Sequence, residues 1–311
     1  MTQARGRNLA NWLSDRAWRL LLAVLRALPY TRRIPVAGWL TARLLGPLAG
    51  FSRRTETNLR RIWPELPEAH RRRIARAALD NAGRTIVEIY SGEPLKARVA
   101  GTRATGPGLA ALDAAGAEGR PVVLVTGHFG NYAAAWVVLR RRGLEIAGLY
   151  RPMSNPWFDA HYARAMERHG GPIFRQDRRG TTAMLRHLRR GGMAVILLDQ
   201  HRHGGARLDF LGLEAATSTE PAEIALRLGA LLVPFYGIRT ESGLDFEVVV
   251  EAPIPHGEPA TMTQAFNDSL SARIRAHPGQ WFWPHRRWKT TPEAISAAGP
   301  PPAPGPDRPP E

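Results

Sequence analysis

The chain has 311 residues, 44% of them hydrophobic and none of them cysteine. It can bury one substantial core, while disulfides, thiolate nucleophiles and cysteine-ligated zinc are excluded. Its formal charge is +16, nearly all from arginine because Lys96 and Lys289 are the only lysines, and residues 1–80 hold 16 arginines against Asp15, Glu56, Glu65, Glu68 and Asp80.

That first quarter is built to meet something anionic, either phospholipid headgroups or nucleic acid. Within it, Trp12 to Leu28 reads as a helix, with Trp18, Leu21, Leu22 and Leu25 at helical spacing and Arg19 and Arg26 one heptad apart on another side. After Pro29, the stretch from Ile34 to Phe51 carries Trp39, Leu40, Leu44, Leu45 and Leu48 with the single cation Arg43. Arginine and tryptophan beside an apolar face predict a helical pair, residues 1–50, lying in a membrane interface; two amphipathic helices packed on the core are the alternative. The apolar run Leu20 to Leu25 is too short, and too closely flanked by arginine, for a cleaved signal peptide. Nowhere do 18 uncharged apolar residues run together, as an unaided membrane span requires.

From Phe51 to Tyr90 the pattern is helical, interrupted at Pro64 and Pro67. Strand patterns follow at Val122 to Thr126, Glu145 to Tyr150, Met193 to Asp199, Leu231 to Ile238 and Phe246 to Glu251. They alternate with helical patterns over Tyr132 to Arg142, Trp157 to His169, Thr181 to Arg190, Pro221 to Leu228 and Met262 to Ala276. This alternation predicts an α/β fold: a mostly parallel central sheet flanked by helices, with an N-terminal helical membrane-associating extension. The expected organisation is a membrane-interfacial segment (1–50), an α/β domain (51–290) and a disordered Pro-rich tail (291–311).

Gly127-His128-Phe129-Gly130-Asn131 sits where a buried strand meets a helix, the edge at which open α/β sheets hold ligands. There His128 can take a proton from an attacking hydroxyl, and backbone N–H groups of Gly130 and Asn131 can steady an oxyanion. Alternatively, His128 merely caps the helix. Arg151, directly after the next strand, can bind a phosphate bidentately or be one more surface arginine. Asp199-Gln200 ends a strand and can order a polar substrate or cap its loop. Thr217 and Glu220 stand at capping-box spacing. His285-Arg286-Arg287-Trp288-Lys289 sets cations beside aromatics, suited to an anionic headgroup, an acidic protein or single-stranded nucleic acid. His201 and His203 with Asp199 make the one metal-like cluster, more simply read as polar loop residues. No HExxH, P-loop, GxGxxG or GxSxG motif occurs, so no metal or cofactor is expected.

GHFGNY after a hydrophobic strand resembles the HX4D/E motif of the lipid A biosynthesis lauroyl/myristoyl (late) acyltransferase family. RRTETNLRRIWPEL (53–66), GRTIVEIYS (83–91), GLYRPMSNPWFD (148–159), LLDQHRHGGARLDFLGLEAATST (197–219) and QWFWPHRRWK (280–289) resemble further segments of that family, in the same order. The resemblance implies transfer of an acyl chain from acyl carrier protein to a hydroxyl of an anionic lipid A-type glycolipid, at the cytoplasmic face of the bacterial inner membrane. It makes His128 the base; Gly130, Asn131, Arg151, Asp199, Arg286 and Arg287 are the expected substrate-binding set. The family's acid falls at position 133, which here is Ala133.

Without an acid the imidazole loses the group that fixes its tautomer and stabilises its cation, a loss of about 10⁴ in turnover, roughly 5 kcal/mol, in serine proteases. Ala133 therefore predicts an impaired enzyme, whether engineered or natural, unless Asp199, Glu220 or Glu88 reaches His128 from elsewhere. The alternative function is a non-catalytic membrane lipid-binding homologue. An arginine-rich nucleic-acid binder is disfavoured because no nucleic-acid fold signature is readable.

Overall fold

The computed structural model describes residues 2–289, with side chains from residue 8; the Pro-rich tail lies outside the described residues. Helix α1 (Thr2–Arg26) is followed by α2 (Tyr30–Leu40), which runs through a π-helical turn at Thr41–Leu45 into α3 (Gly46–Leu48). Helices α4 (Phe51–Ile62) and α5 (Glu68–Ser91) lie on either side of Pro64 and Pro67, where the interruption was expected. Next come α6 (Glu93–Arg98), β1 (Ala104–Thr105), α7 (Leu109–Glu118), β2 (Val122–Thr126), α8 (Tyr132–Arg140), β3 (Ile146–Tyr150), α9 (Pro156–Glu167) and β4 (Ile173–Arg175). The rest comprises α10 (Arg178–Arg189), β5 (Met193–Leu197), the hairpin β6 (Ala206–Phe210) and β7 (Leu213–Thr217), α11 (Glu220–Leu228), β8 (Leu231–Arg239), β9 (Phe246–Val250) and α12 (Pro259–Ala276).

The main sheet has the order β1-β9-β8-β2-β5-β3-β4. Every neighbouring pair is parallel except β8 and β9, so the fold is α/β with a mainly parallel sheet, as the alternation predicts. Both faces are covered, which is why β2 is apolar without a break: Val122 and Leu124 point into one core, Val123 and Val125 into the other. The first core takes side chains from α1, α2, α8 and α9, including Leu22, Leu25, Ile34, Trp136 and Tyr162. The second takes α10, α11, α12 and the C-terminal tryptophans, including Met184, Leu188, Phe266, Trp281 and Trp283. Helix α5 contributes to both, through Val87 and Ile89 to one and Ile74 and Ala78 to the other.

The N-terminal helices pack on the core along one side and expose apolar side chains along another. Leu22 and Leu25 of α1 and Ile34 of α2 are buried, while Leu9, Trp12, Leu13, Leu20, Val24, Trp39, Leu44, Leu45 and Leu48 are exposed. Among the described residues no single helix is long and apolar enough to cross a membrane; the pair Tyr30–Leu48 and Phe51–Ile62 reaches that composition only together, across an 88° bend.

Candidate active site

Strand register builds the site. In the parallel pairing of β2 with β5, Thr126 lies beside Leu197, and the Leu198 N–H continues the ladder onto the Thr126 carbonyl at 2.9 Å. Two residues beyond each partner stand His128 and Asp199, so the same register brings them together at the C-terminal edge of the sheet. Gly127 leaves room for the approach, because a Cβ there would lie 3.2 Å from the Asp199 side chain and 2.7 Å from that of Leu270.

His128 Nδ1 is 2.8 Å from Asp199 Oδ1, and the His128 backbone N–H donates to Oδ2 at 2.8 Å. Trp281 Nε1–H donates to the same Oδ2 at 2.8 Å. Asp199 is completely buried, whereas the His128 side chain is 27% exposed. Burial alone would raise the Asp199 pKa, but the charge of the His128 ring and the hydrogen bonds from its ring and backbone hold the carboxyl well below the usual range. An ionised carboxylate can only accept, so in the neutral form of the ring the proton sits on Nδ1 and Nε2 presents its lone pair. This is the arrangement of a general base with its orienting acid.

A second imidazole stands beside the first. The ring of His285 meets that of His128 edge-on, centroids 4.5 Å apart. Burial, then the neighbouring His128, push its pKa down to about 3, so it is neutral at physiological pH. Its Nε2 is buried without a hydrogen-bond partner. Among the described residues, the potential metal-ligand atoms that cluster within 4.8 Å belong to His128, Asp199 and His285. His201 and His203, the loop histidines set beside Asp199 in the sequence, do not join this group; the Asp199 carboxylate is taken by His128 and Trp281.

The turn is braced from behind. Gly130 N–H donates to the Gln280 carbonyl at 2.9 Å and Asn131 N–H to the Gly237 carbonyl at 2.7 Å. The Gly130 carbonyl accepts from Asn81 Nδ2 (3.0 Å) and Thr85 Oγ1 (2.9 Å). Asn131 is fully buried; its oxygen caps α8 by accepting from Ala134 N–H, and its amide donates to Glu88 Oε2 at 2.6 Å. Glu88 is in turn held by both terminal nitrogens of Arg239, at 2.7 and 2.6 Å. This corrects the oxyanion assignment: the N–H groups of Gly130 and Asn131 are already spent inside the protein, and both residues shape and hold the turn. Gly130 adopts φ +54°, and a Cβ there would lie 1.9 Å from the Gly237 carbonyl oxygen.

Ala133 is fully buried in the first turn of α8. Of the carboxylates expected to replace its missing acid, only Asp199 contacts His128. Glu88 is committed to Arg239 and Asn131, and Glu220 is exposed and paired with Arg202 at 3.0 Å. Arg151 is exposed just past β3, the strand beside β5, and its guanidinium has no hydrogen bond or ion pair among the described residues.

Of the C-terminal arginines, Arg286 is exposed but Arg287 is fully buried. Arg287 donates to the Gln200 and Ala216 carbonyls (3.3 and 2.8 Å) and to Thr217 Oγ1 (2.6 Å), with its guanidinium 4.8 Å from the Phe210 ring centroid. Burial lowers its pKa to about 10, which leaves it charged. It clamps the C-terminal segment onto the β6–β7 hairpin, a correction to the headgroup contact expected of it. With Thr217 taken by Arg287 and lying within β7, the capping box does not form, and Thr219 is the N-cap of α11. Sequence reasoning passed over Trp281 and Arg239, whose partners are far away in the chain.

Residues 5–290 match the family described as bacterial lipid A biosynthesis acyltransferase. The chain is 26% identical over 274 residues to a phosphatidylinositol mannoside acyltransferase of Mycobacterium tuberculosis, covering 81% of this chain and 86% of the relative. It is 26% identical over 247 residues to the lipid A biosynthesis lauroyltransferase of Escherichia coli, covering 76% and 79%. A lipid A biosynthesis acyltransferase of Haemophilus influenzae is 26% identical over 303 residues, 91% of each chain.

Proposed function

The chain belongs to the bacterial lipid A biosynthesis acyltransferase family, and on that premise we propose that it is an active transferase in which Asp199 replaces the acid missing at Ala133. It moves a fatty acyl chain from acyl carrier protein to a hydroxyl of a lipid A-type glycolipid, at the cytoplasmic face of the inner membrane. The observation that carries this reading is the His128–Asp199 contact at 2.8 Å, made by a buried carboxylate and a partly exposed imidazole. A hydroxyl bound at Nε2 gives up its proton to His128 as its oxygen attacks the thioester carbonyl. Asp199 stabilises the imidazolium, the tetrahedral adduct collapses, and the departing thiolate takes the proton back. No acyl-enzyme is required, and the chain has no cysteine to form one.

Arg151, unpaired at the same sheet edge, is suited to a phosphate of donor or acceptor. The exposed Trp39, Leu44, Leu45 and Leu48 beside the arginines of residues 1–50 suit a membrane surface, where a lipid acceptor resides. A phosphatidylinositol mannoside-type acceptor is the second reading, favoured by the mycobacterial relatives' equal identity to this chain.

The test is acyl transfer to a lipid A precursor by the unaltered chain, His128→Ala and Ala133→Glu. Turnover by the unaltered chain, its loss in His128→Ala and no gain in Ala133→Glu are expected. An inert unaltered chain awakened by Ala133→Glu would sink the Asp199 assignment and leave the impaired-enzyme reading standing.

A further inference from the structure

Helix α10 carries Arg178, Arg179, Arg186 and Arg189, with Arg190 at its C-cap and no acidic residue among positions 178–190. All of these arginines are exposed, and none of their guanidinium groups has a hydrogen bond or ion pair among the described residues. At 3.6 residues per turn they fall within an arc of about 120°, opposite the buried Met184 and Leu188.

A solvated helix face normally mixes both signs of charge. Elsewhere this chain does so, pairing Arg19 with Asp15, Arg72 with Glu68 and Arg84 with Asp80 one turn apart. In α10 the single sign works against the helix. Arg178 and Arg179 occupy the first turn, at the positive end of the helix dipole, and Arg186 and Arg190 repel one another at i, i+4. The arrangement costs the fold stability and gains no contact within it.

Location narrows the partner. Helix α10 packs on the second core; it starts just past β4, which puts Arg178 and Arg179 at the sheet edge that holds His128, and runs back so that Arg186, Arg189 and Arg190 lie toward the opposite edge, where His187 Nε2 meets the Glu145 and Met193 carbonyls. The exposed Leu20, Val24 and Trp157 belong to α1 and α9, which pack on the first core across the sheet. None of the exposed large hydrophobic residues lies on α10. Arginines without apolar companions on their own helix fit a water-soluble anionic partner better than a bilayer.

We propose that the arginine face of α10 docks an acidic protein surface, that of the carrier which delivers the acyl thioester to His128. The inference rests on the acyl-carrier reading above and adds to it where that donor binds.

The test compares the full chain with Arg179→Glu/Arg186→Glu/Arg190→Glu, and with Arg53→Glu/Arg103→Glu/Arg227→Glu as a control of equal charge change on exposed arginines elsewhere. Fluorescence anisotropy measures binding of labelled holo acyl carrier protein, independent of turnover. Steady-state kinetics compare acyl-carrier donor with acyl-pantetheine, which has neither protein nor phosphate. The α10 variant is expected to bind carrier at least about tenfold more weakly and to raise KM for the carrier donor similarly, with kcat and acyl-pantetheine kinetics within about twofold. Equal loss in the control, undiminished carrier binding in the α10 variant, or loss confined to binding of phosphatidylglycerol vesicles would each overturn the proposal. Transfer from acyl-pantetheine by a chain that does not bind carrier would remove the docking site and keep the transferase. Carrier binding through α10 without transfer from either donor would do the reverse.

Discussion

Among the described residues two histidine–aspartate pairs have nearly equal geometry, and only one is placed to do chemistry. His128 meets Asp199 at 2.8 Å and His161 meets Asp15 at 2.9 Å, each against a fully buried carboxylate. The difference lies in the other ring nitrogen. His161 Nδ1 is engaged by the Tyr90 hydroxyl at 2.9 Å, so the ring is fastened at both ends, tying α1 to α9 and α5. Among the described residues Nε2 of His128 has no such partner, and its ring stands at the C-terminal edge of a parallel sheet. A carboxylate beside an imidazole makes a base only when the far nitrogen is left for substrate.

The largest predicted effect tests that distinction directly. Asp199→Asn is expected to lower kcat/KM by about 10³–10⁴, as loss of the orienting carboxylate does in serine proteases, while Asp15→Asn leaves the activity of the folded protein within about threefold. Comparable losses in both, measured on material of matched circular dichroism, would erase the contrast. Next in size is stability. Asp15→Ala strips the carboxylate shared by His161 and Arg19 and is expected to cost about 3 kcal/mol in urea unfolding, with kcat/KM preserved below the transition.

The smallest effect concerns pH. The folded-state pKa of His285 is pushed down to about 3 from an ordinary value of 6.5, so between these limits the unfolded chain binds the extra proton. Its contribution is intact above about pH 6.5 and is lost as pH falls toward about 3. Burial lowers the pKa of His161 as well, so the two act in the same direction. Urea melts across that range are expected to show a shallower acid-side decline for His285→Gln; an unchanged slope would mean that His285 does not titrate as its burial dictates.

The elements that sequence patterns revealed and those they hid differ physically. Strands β2, β5 and β8 are buried on both faces and read as unbroken apolar runs. Strands β1 and β4 are edge strands only a few residues long, too short to show any period. The β6–β7 hairpin is disguised at its turn, where Leu211 takes φ +59° beside Gly212 at φ +89°, a conformation that Asn-Gly or Gly-Gly would have announced. In the site, position 133 was legible as missing its acid and Asp199 as one candidate to replace it. Which candidate reaches His128 is fixed by strand order, because β5 lies directly beside β2 although two strands intervene in sequence. The burial of Arg287 and the spent N–H groups of Gly130 and Asn131 were hidden because their partners Thr217, Gln280 and Gly237 are brought to them only by the tertiary fold.

The bracing of the His128 turn also has a consequence for how activity is acquired during synthesis. The carbonyl of Gln280 and the indole of Trp281 complete the surroundings of Gly130 and Asp199, yet they follow α12, the last α-helix among the described residues. A nascent chain that has released β2 and β5 already owns both members of the dyad, but not the wall that fixes them. Such distant contacts close late in folding. Competence to transfer thus arrives only once Gln280 and Trp281 have been made, and chains clipped before Gln280 are expected to fold in part while remaining silent.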